Sequence, residues 1–440
     1  MARIDKRPSS GTTASRASSP VEELLLAALE RGGESLETGR FLVTFKEGAA
    51  EAGLQSLGEQ GMRVTDAREF ENQAVTLDDI GDADAVLFPE IGVALVGGDA
   101  AQARSMSVLS EIASDSPIES IDPEYFVFSD GSPEGSVSEY LRGFLRAAET
   151  IASDLRGAGQ AGVDLEEETL VLGATWGMIA CKVPQSLRSG LGIKVAVLDT
   201  GMDMGHPDFA GRLFAGQTQT FVGQPVQDLH SHGTHCIGTA CGPKAPAGNT
   251  PRYGIGFRSS IFVGKVLMNS GSSVGGSVLN GMNWAIANRC QVISMSLGSQ
   301  AGVQPAYTAA GQAALNNGLL IIAAAGNVPG APTGAPANSP TIMAVASLDP
   351  NLGHSSFSSV GKIEIAGPGR DVFSSVPRPT RHGVKSGTSM ATPHVAGCAA
   401  LWAETSASLR GMALWRKLQA TARRLPLPAS KVGAGLVQAP

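Results

Sequence analysis

From Trp176 onward, short continuous apolar runs alternate with longer segments in which apolar residues recur every three or four positions. The runs predict five strands, at 193–198, 261–267, 292–297, 319–325 and 341–346. The periodic segments predict five helices, at 232–241, 275–289, 303–317, 389–404 and 408–423. Strands that are apolar on both faces and alternate with helices are typical of an α/β fold, a mostly parallel sheet with helices on both faces. Sites in such sheets lie at the carboxyl ends of the strands.

An earlier part of the chain has a different and smaller pattern. Its apolar runs and periodic segments predict strands at 41–45, 91–96 and 118–128 and helices at 50–60 and 100–113. Strand–helix–strand repeated twice is the order of a ferredoxin-like fold. The sequence therefore predicts a small α+β domain at 40–128, ahead of a large domain at 173–440. The ferredoxin-like fold has many functions, so it indicates none by itself.

Two segments flank the small domain. Residues 1–39 are predicted to form a disordered tail with a short helix at 21–30, and residues 129–172 a linker. Apolar residues recur at helical spacing over 137–155, which predicts an amphipathic helix within the linker. Its polar face carries both signs of charge, so packing against a neighbouring domain is favoured over binding to a membrane.

Composition narrows the class of protein. The chain has 440 residues, 42% of them hydrophobic and 17% charged, which is typical of a soluble protein with two or three domains. The net charge of −7 and the absence of a basic run with aromatics argue against a nucleic-acid partner. No stretch approaches the ~20 apolar residues of a membrane span. The apolar run 24–29 is short and flanked by acids, so no Sec signal is recognisable.

The five cysteines do not predict a disulfide framework, because their number is odd and they are widely scattered: Cys181, Cys236, Cys241, Cys290 and Cys398. Cys236 and Cys241 are close together, but no second pair stands at zinc-ligand spacing. We expect buried free thiols.

Candidate chemistry follows two of the predicted strands. Asp199 ends the apolar run 194–198 where the chain turns on Gly201. Aspartate at a strand end is more often a turn former than a catalyst. Asn327 follows a second apolar strand in a Gly-Asn pair, where a structural role is again the commoner one.

Three of the seven histidines lie together in Asp228-Leu-His-Ser-His-Gly-Thr-His235. A histidine at a helix start is expected to have a lowered pKa, which suits a general base. Histidines at this spacing could also bind a metal, but the neighbouring carboxylates and cysteines have no matching ligand spacing.

The string Ser386-Gly-Thr-Ser-Met-Ala-Thr-Pro-His-Val-Ala-Gly397 runs from a loop of small residues into an apolar helix. Ser389 lies at the junction, where unpaired backbone N–H groups and the positive end of the helix dipole converge. That is a favourable place to attack a carbonyl and to stabilise the oxyanion that forms.

Taken together, these motifs resemble those of the subtilisin-like serine proteases (subtilases), over about residues 175–440. The resemblance implies a subtilisin-like fold and a serine endopeptidase. Within it Ser389 matches the nucleophile, His232 the general base, Asp199 the acid that orients the base, and Asn327 the side chain that donates to the oxyanion. The chain order Asp, His, Ser is that of the subtilisin type of triad.

Further features match the same family. Cys236 resembles the thiol of the cysteine-bearing subtilase branch, which implies sensitivity to mercurials if the thiol is reactive. The domain at 40–128 resembles the family's propeptide by pattern only, which implies a zymogen that is cut by its own active site and inhibited by its own propeptide. The family is mostly secreted and we expect a monomer.

A peptide or protein substrate is expected to bind as an extended strand between two backbone edges. Resemblance assigns one edge to Gly271, Ser272 and Ser273, and the other to Ser296, Leu297 and Gly298. The wall segment 328–343 has no charged residue, which favours an apolar or small side chain before the cut bond.

No cofactor or metal is expected. The loop 242–252, where the family often binds calcium, has two cations and no carboxylate, whereas calcium requires several oxygen ligands. Asp208 matches a family calcium ligand, so calcium remains possible without support from this loop.

Two other functions stay open at this point. A peptide-binding module without catalysis would normally have lost a member of the triad, and none is lost. A permanently self-inhibited protein, whose N-terminal domain is never released, is compatible with the sequence.

Overall fold

A computed structural model describes residues 15–31, 35–104, 115–129 and 173–440. The predicted linker helix lies outside these ranges, as do residues 1–14 and 32–34 of the predicted N-terminal tail. None of the described helices is long and apolar enough to cross a membrane.

The strands are β1 Glu37–Phe45, β2 Val64–Asp66, β3 Ala85–Phe88, β4 Val93–Val96, β5 Ile118–Phe128, β6 Lys194–Asp199, β7 Thr218–Thr220, β8 Ser260–Lys265, β9 Ser272–Val274, β10 Val292–Met295, β11 Leu320–Ala324, β12 Met343–Leu348, β13 Ile365–Pro368, β14 Val372–Ser375 and β15 His382–Lys385. The α-helices are α1 Val21–Glu30, α2 Ala50–Glu59, α3 Leu77–Ile80, α4 Gly98–Ala103, α5 Trp176–Ala180, α6 His232–Cys241, α7 Gly275–Ala287, α8 Pro305–Asn316, α9 Thr388–Thr405, α10 Gly411–Thr421 and α11 Ala429–Val432.

The small domain is a sheet in the order β2-β3-β4-β1-β5, in which β1 pairs antiparallel with both β4 and β5. The predicted strands and helices correspond along the chain to β1, α2, β4, α4 and β5. Strands β2 and β3 were not predicted, because each is too short for its alternation to be read from sequence: three and four residues. The predicted helix at 100–113 is described only as α4, since residues 105–114 lie outside the described ranges.

Strand β1 begins at Glu37, ahead of residue 40, where the sequence places the start of the small domain. Residues 15–20 also belong to the folded unit. The Gly98 N–H donates to the Ser15 carbonyl at 2.6 Å, and Arg40 donates to the Ala17 carbonyl at 2.8 Å. Both contacts end on backbone carbonyls, which the pattern of apolar and polar side chains does not indicate.

Helix α1 joins the small domain to the large one. Its buried residues Val21, Leu24, Leu25 and Ala28 belong to one apolar cluster with side chains of β5 and of the large domain: Phe126, Phe128, Val222, Met268 and Val274. The structure has a helix at the positions where the sequence predicts a short one, 21–30, and its apolar face is buried at a domain junction.

The large domain contains a seven-stranded sheet in the order β13-β12-β11-β10-β6-β8-β7, and every neighbouring pair is parallel. Alternate residues of β6 enter different cores: Val195 and Val197 pack on the face that carries α6 and α9, and Ala196 and Leu198 on the face that carries α7 and α8. The predicted α/β fold with helices on both faces is confirmed. Short strands such as β7, β14 and β15 were not predicted.

Strand β5 of the small domain continues into the large one. It pairs antiparallel with β9, from Phe126 opposite Val274 to Phe128 opposite Ser272. On its other side, Phe128 forms an antiparallel bridge with Gly298. One strand of the small domain thus lies between two backbone edges of the large domain.

Candidate active site

Asp199 ends strand β6 and is almost fully buried. The chain turns at Gly201, which has φ +98°, and a Cβ on this residue would lie 2.0 Å from the Val226 carbonyl oxygen. Only glycine fits this turn without displacement of the backbone. The Thr200 N–H donates to Asp199 Oδ1 at 2.7 Å, which fixes the carboxylate at the carboxyl edge of the sheet.

His232 is the first residue of α6 and is 2% exposed. Its Nδ1 lies 2.8 Å from Asp199 Oδ1. An ionised carboxylate can only accept, so Nδ1 carries the proton and Nε2 is the basic nitrogen of the neutral ring. The structure therefore brings two of the predicted residues into contact.

Asp228, which sequence reasoning missed, positions the start of α6. Its buried carboxylate accepts from the N–H groups of His230, Ser231 and Thr234, each at 2.9 Å, and from the Thr234 hydroxyl. A carboxylate at the N-terminus of a helix satisfies the orphan donors and the dipole. An aspartate four residues before a histidine-rich helix start was the available signal.

The pKa values of the buried pair are shifted in opposite directions. Burial by itself would lower the pKa of His232, but the charge of Asp199, with Cys236 as a further contributor, raises it well above its usual value. Burial would raise the pKa of Asp199, and the imidazole of His232 instead lowers it. The expectation of a lowered pKa at His232 is therefore wrong, because the neighbouring carboxylate outweighs the helix terminus.

Ser389 lies in the first turn of α9 and is 2% exposed. Its hydroxyl donates to the Ser129 carbonyl at 2.9 Å and lies 3.4 Å from the Ser296 carbonyl. Cys236 lies between the two elements, with Sγ 3.9 Å from His232 Nδ1 and 3.5 Å from the Ser389 carbonyl. The first turns of α6 and α9 therefore adjoin.

Asn327 follows β11, and its side-chain orientation is fixed by Thr388. Asn327 Oδ1 accepts from the Thr388 N–H at 2.8 Å and from the Thr388 hydroxyl at 2.9 Å. Because both partners are donors, the oxygen of the amide faces them and Nδ2 points away. Thr388, the residue before the predicted nucleophile, is a second positioning residue that sequence reasoning missed.

The two predicted binding edges flank β5. The Ser129 N–H donates to the Gly271 carbonyl at 2.9 Å, and Phe128 and Gly298 exchange two backbone hydrogen bonds of 2.9 Å. Ser272 and Ser273 pair with β5 through β9. Ser296 Oγ donates to the Ser389 carbonyl at 2.7 Å, and Leu297 lines the cleft beside Ser389. The groove between the edges therefore contains the end of the small domain.

The histidine cluster does not gather as one metal site. His235 Nε2 donates to the Val372 carbonyl at 2.9 Å, and burial lowers the pKa of His235 to about 3. Within the described ranges, two groups of three have possible ligand atoms within 4.8 Å of one another: Asp199 with His232 and Cys236, and His206 with Asp208 and His382. Neither group contains His230 or His235.

The surroundings of Asp208 do not fit calcium. Its Oδ2 accepts from the Tyr253 hydroxyl and lies 2.9 Å from His382 Nε2. His206 Nε2 donates to the Arg381 carbonyl at 2.8 Å, and its Nδ1 accepts from the Asp208 N–H. Calcium requires six to eight oxygen ligands, whereas the groups around this carboxylate are imidazoles and one phenol.

All five cysteines are buried and form no disulfide. Burial raises the pKa of Cys236, despite the opposing charge of His232. A buried thiol with a raised pKa is mostly protonated at neutral pH and is a poor nucleophile. Reaction with mercurials requires an exposed thiol with a lowered pKa, and Cys236 has neither while β5 occupies the groove. Sensitivity of the enzyme without its N-terminal domain stays a prediction.

The sequence profile of the subtilase family matches residues 190–435. The chain is 38% identical to thermitase from Thermoactinomyces vulgaris over 230 residues, which are 52% of this chain and 81% of thermitase. It is 38% identical to subtilisin NAT from Bacillus subtilis subsp. natto over 218 residues, 48% of this chain and 56% of that protein. It is 37% identical to a thermostable alkaline protease from Halalkalibacterium halodurans over 278 residues, 62% of this chain and 74% of that protein. The range 190–435 includes Asp199, His232, Asn327 and Ser389.

Proposed function

The chain belongs to the subtilase family, and we propose that it is a self-processing zymogen in which Asp199, His232 and Ser389 form the catalytic triad. The family and the relatives already make it a serine endopeptidase, whose substrates are peptides or proteins. The proposal goes further, because it assigns a role to each triad residue and to the N-terminal domain.

The proposed reaction begins with attack by Ser389 Oγ on the carbonyl carbon of a bound peptide. The hydroxyl proton passes to His232 Nε2, and an oxyanion forms on the former carbonyl oxygen. Asn327 Nδ2 and the Ser389 N–H stabilise that oxyanion. His232 then gives the proton to the leaving amine, and water hydrolyses the ester formed on Ser389 by the same route.

Asp199 has two proposed effects on His232. Its hydrogen bond to Nδ1 selects the tautomer in which Nε2 faces the nucleophile, and its charge stabilises the imidazolium that forms during attack. The raised pKa of His232 is the ground-state expression of that stabilisation.

The observation that carries the zymogen proposal is the 2.9 Å hydrogen bond from Ser389 Oγ to the Ser129 carbonyl. The last strand of the N-terminal domain, β5, pairs with both edges of the groove as an extended substrate would. A chain bound in this way both presents a bond for cleavage and blocks the groove. We therefore assign residues 15–129 of the described chain to the propeptide.

The propeptide is also anchored beyond the groove. Glu124 is fully buried and accepts from the Gly276 N–H, in the first turn of α7, at 2.7 Å. The same carboxylate accepts from two nitrogens of Arg40, at 2.7 and 2.8 Å, and from the Thr38 hydroxyl at 2.6 Å. One side chain thus links the fold of the small domain to a helix start in the large domain.

Incubation of purified full-length protein, with its mass followed over time, tests the zymogen proposal. We expect one cut near residue 129 that yields two fragments, followed by the appearance of peptidase activity as the N-terminal fragment is lost. A protein that cleaves added peptides at full rate while the chain remains at 440 residues would contradict the proposal.

Glu124→Gln is expected to shorten the lag before activity appears. The substitution removes the charge and one acceptor from a buried ion pair, and loss of one partner of such a pair costs about 3–5 kcal/mol. The N-terminal domain should then unfold more easily and bind the peptidase domain more weakly. The measurement is the lag in a continuous peptide assay.

Glu69→Gln is the matched control, because Glu69 is exposed in the same domain. It should leave the lag unchanged. An unchanged lag in Glu124→Gln as well would show that the buried carboxylate does not hold the domain in place.

A further inference from the structure

The strand that fills the groove is covered on its two faces by different parts of the chain. Val127 packs in the apolar core that also contains Leu297 and Ala335, which line the cleft beside the nucleophile. Phe126 and Phe128 point to the opposite face, because successive side chains of a strand alternate. Both lie in a separate apolar cluster that includes helix α1. The second face of β5 is therefore covered from outside the groove.

The large domain contributes three apolar residues to this cluster, which we call the side surface: Val222, Met268 and Val274. Val222 follows β7, Met268 lies in the turn before β9, and Val274 ends β9. All three are at most 4% exposed while the N-terminal domain is in place. Departure of that domain takes away the apolar side chains of α1 and β5 that belong to the same cluster.

The sequence of α1 suits a contact on one face only. Leu24 and Leu25 are 1% and 6% exposed, whereas Leu26 is 60% exposed. The acidic residues Glu22 and Glu23 are exposed as well. An isolated helix of ten residues is marginal in water, so α1 depends for its stability on burial of its apolar face. The apolar cluster with β5 and the side surface provides that burial.

Hydrogen bonds tie both ends of α1 to the small domain. Ahead of the helix, the Ala17 carbonyl accepts from Arg40 at 2.8 Å. Immediately after the helix, Arg31 donates to the Glu37 carbonyl at 3.1 Å. The small domain therefore holds α1 at its ends, while the apolar face of the helix is buried with β5 and the large domain.

From these contacts, and resting on the proposed function, we propose that the side surface is a second binding site of the peptidase domain, outside the groove, and that its partner is the apolar face of α1. With α1 in place, the cut strand is enclosed between the groove and the helix. Release of the strand then requires α1 to leave the side surface as well.

Two linked contacts retain the cut N-terminal domain more strongly than the groove alone. When one contact opens, the other keeps the partners at a high effective concentration, so the open contact forms again before the domain escapes. The α1 contact therefore lengthens the interval between the cut and the appearance of peptidase activity.

The test measures two times on purified full-length protein: that of the cut, by intact mass, and that at which cleavage of an added peptide begins. Leu24→Asp places a charge in the buried contact and should shorten the interval between them by about tenfold or more, because burial of one leucine side chain is worth about that factor in binding. Leu26→Asp is the matched control, since it makes the same change at an exposed position of the same helix. It should leave the interval unchanged.

Met268→Ala changes the side surface and leaves the sequence of the N-terminal domain intact, so it tests the proposal even if the Leu24→Asp protein fails to fold. It should also shorten the interval, whereas Met412→Ala, at an exposed position on α10, should not.

An interval that Met268→Ala leaves unchanged would overturn the inference, because α1 would then act only within the small domain. An interval that Leu26→Asp shortens as much as Leu24→Asp does would overturn it too, because the added charge and not the buried contact would be responsible. Absence of any cut in the wild-type protein would instead contradict the proposed function.

Discussion

Ser389→Ala is expected to lower kcat for peptide hydrolysis by about 10⁶, and to leave the purified chain at its full length of 440 residues. The hydroxyl is the only group at this position that can form the acyl-enzyme, and methyl cannot replace it. Since the same hydroxyl contacts the Ser129 carbonyl, self-processing and peptide hydrolysis should fail together. The measurements are a peptide assay and an intact mass.

Ser408→Ala is the control, because Ser408 is exposed beyond the end of α9. It should process and hydrolyse normally. If Ser389→Ala protein were cut near residue 129 at the normal rate in a preparation free of other proteases, a different nucleophile would have to perform the maturation.

Asp199→Asn is expected to lower kcat by about 10⁴ and to move the acid limb of the pH profile to lower pH. His232 must be neutral to accept a proton, so activity is lost as the pH falls through its pKa. In the native protein Asp199 raises that pKa well above its usual value of about 6.5. Without the charge, the largest remaining influence is burial, which lowers the pKa. The measurement is kcat/KM against pH.

Asp371→Asn provides the control, because Asp371 is exposed and also carries one negative charge. Its profile should overlie that of the native protein. An acid limb that stays in place in Asp199→Asn would mean that the carboxylate does not set the pKa of the base, even if the rate falls.

The sequence was sufficient for the architecture of the large domain. Continuous apolar strands such as β6 and β11, alternating with helices, strongly favour a parallel sheet. Sites in such sheets lie at the carboxyl ends of the strands, so the residues that follow these strands could be identified as candidate site residues. Asp199 and Asn327 both lie at the carboxyl ends of strands, as this rule predicts. The ends of elements were less well predicted, because Gly411 and Pro305 start helices that the apolar pattern extends further.

The arrangement of the site required coordinates. Sequence spacing cannot indicate that Asp228 accepts four hydrogen bonds at the start of α6, or that Thr388 holds the Asn327 amide. These contacts join residues that are not neighbours in the pattern. The direction of the pKa shift at His232 failed for the same reason, since a helix terminus is visible in sequence and a carboxylate 33 positions away in the chain is not visible as a neighbour.

The N-terminal domain illustrates a third limit. The order of its strands and helices could be predicted, but its contacts could not. The apolar side chains of α1 and β5 pack against residues of the large domain such as Met268 and Val274. A pattern read within one segment does not reveal a partner from another segment. The position of Ser129 beside Ser389 follows from pairing on two edges at once.

Activation of Ser389 by His232 underlies every step of the proposed reaction. This activation can be tested at Ser389 Oγ itself. The self-processed protein is treated with phenylmethylsulfonyl fluoride, and the labelled residue is identified by peptide mapping. We predict a single sulfonyl group on Ser389 and concurrent loss of peptidase activity. Full inhibition with the label on a different residue, or full activity of a protein labelled at Ser389, would rule out Ser389 as the activated nucleophile.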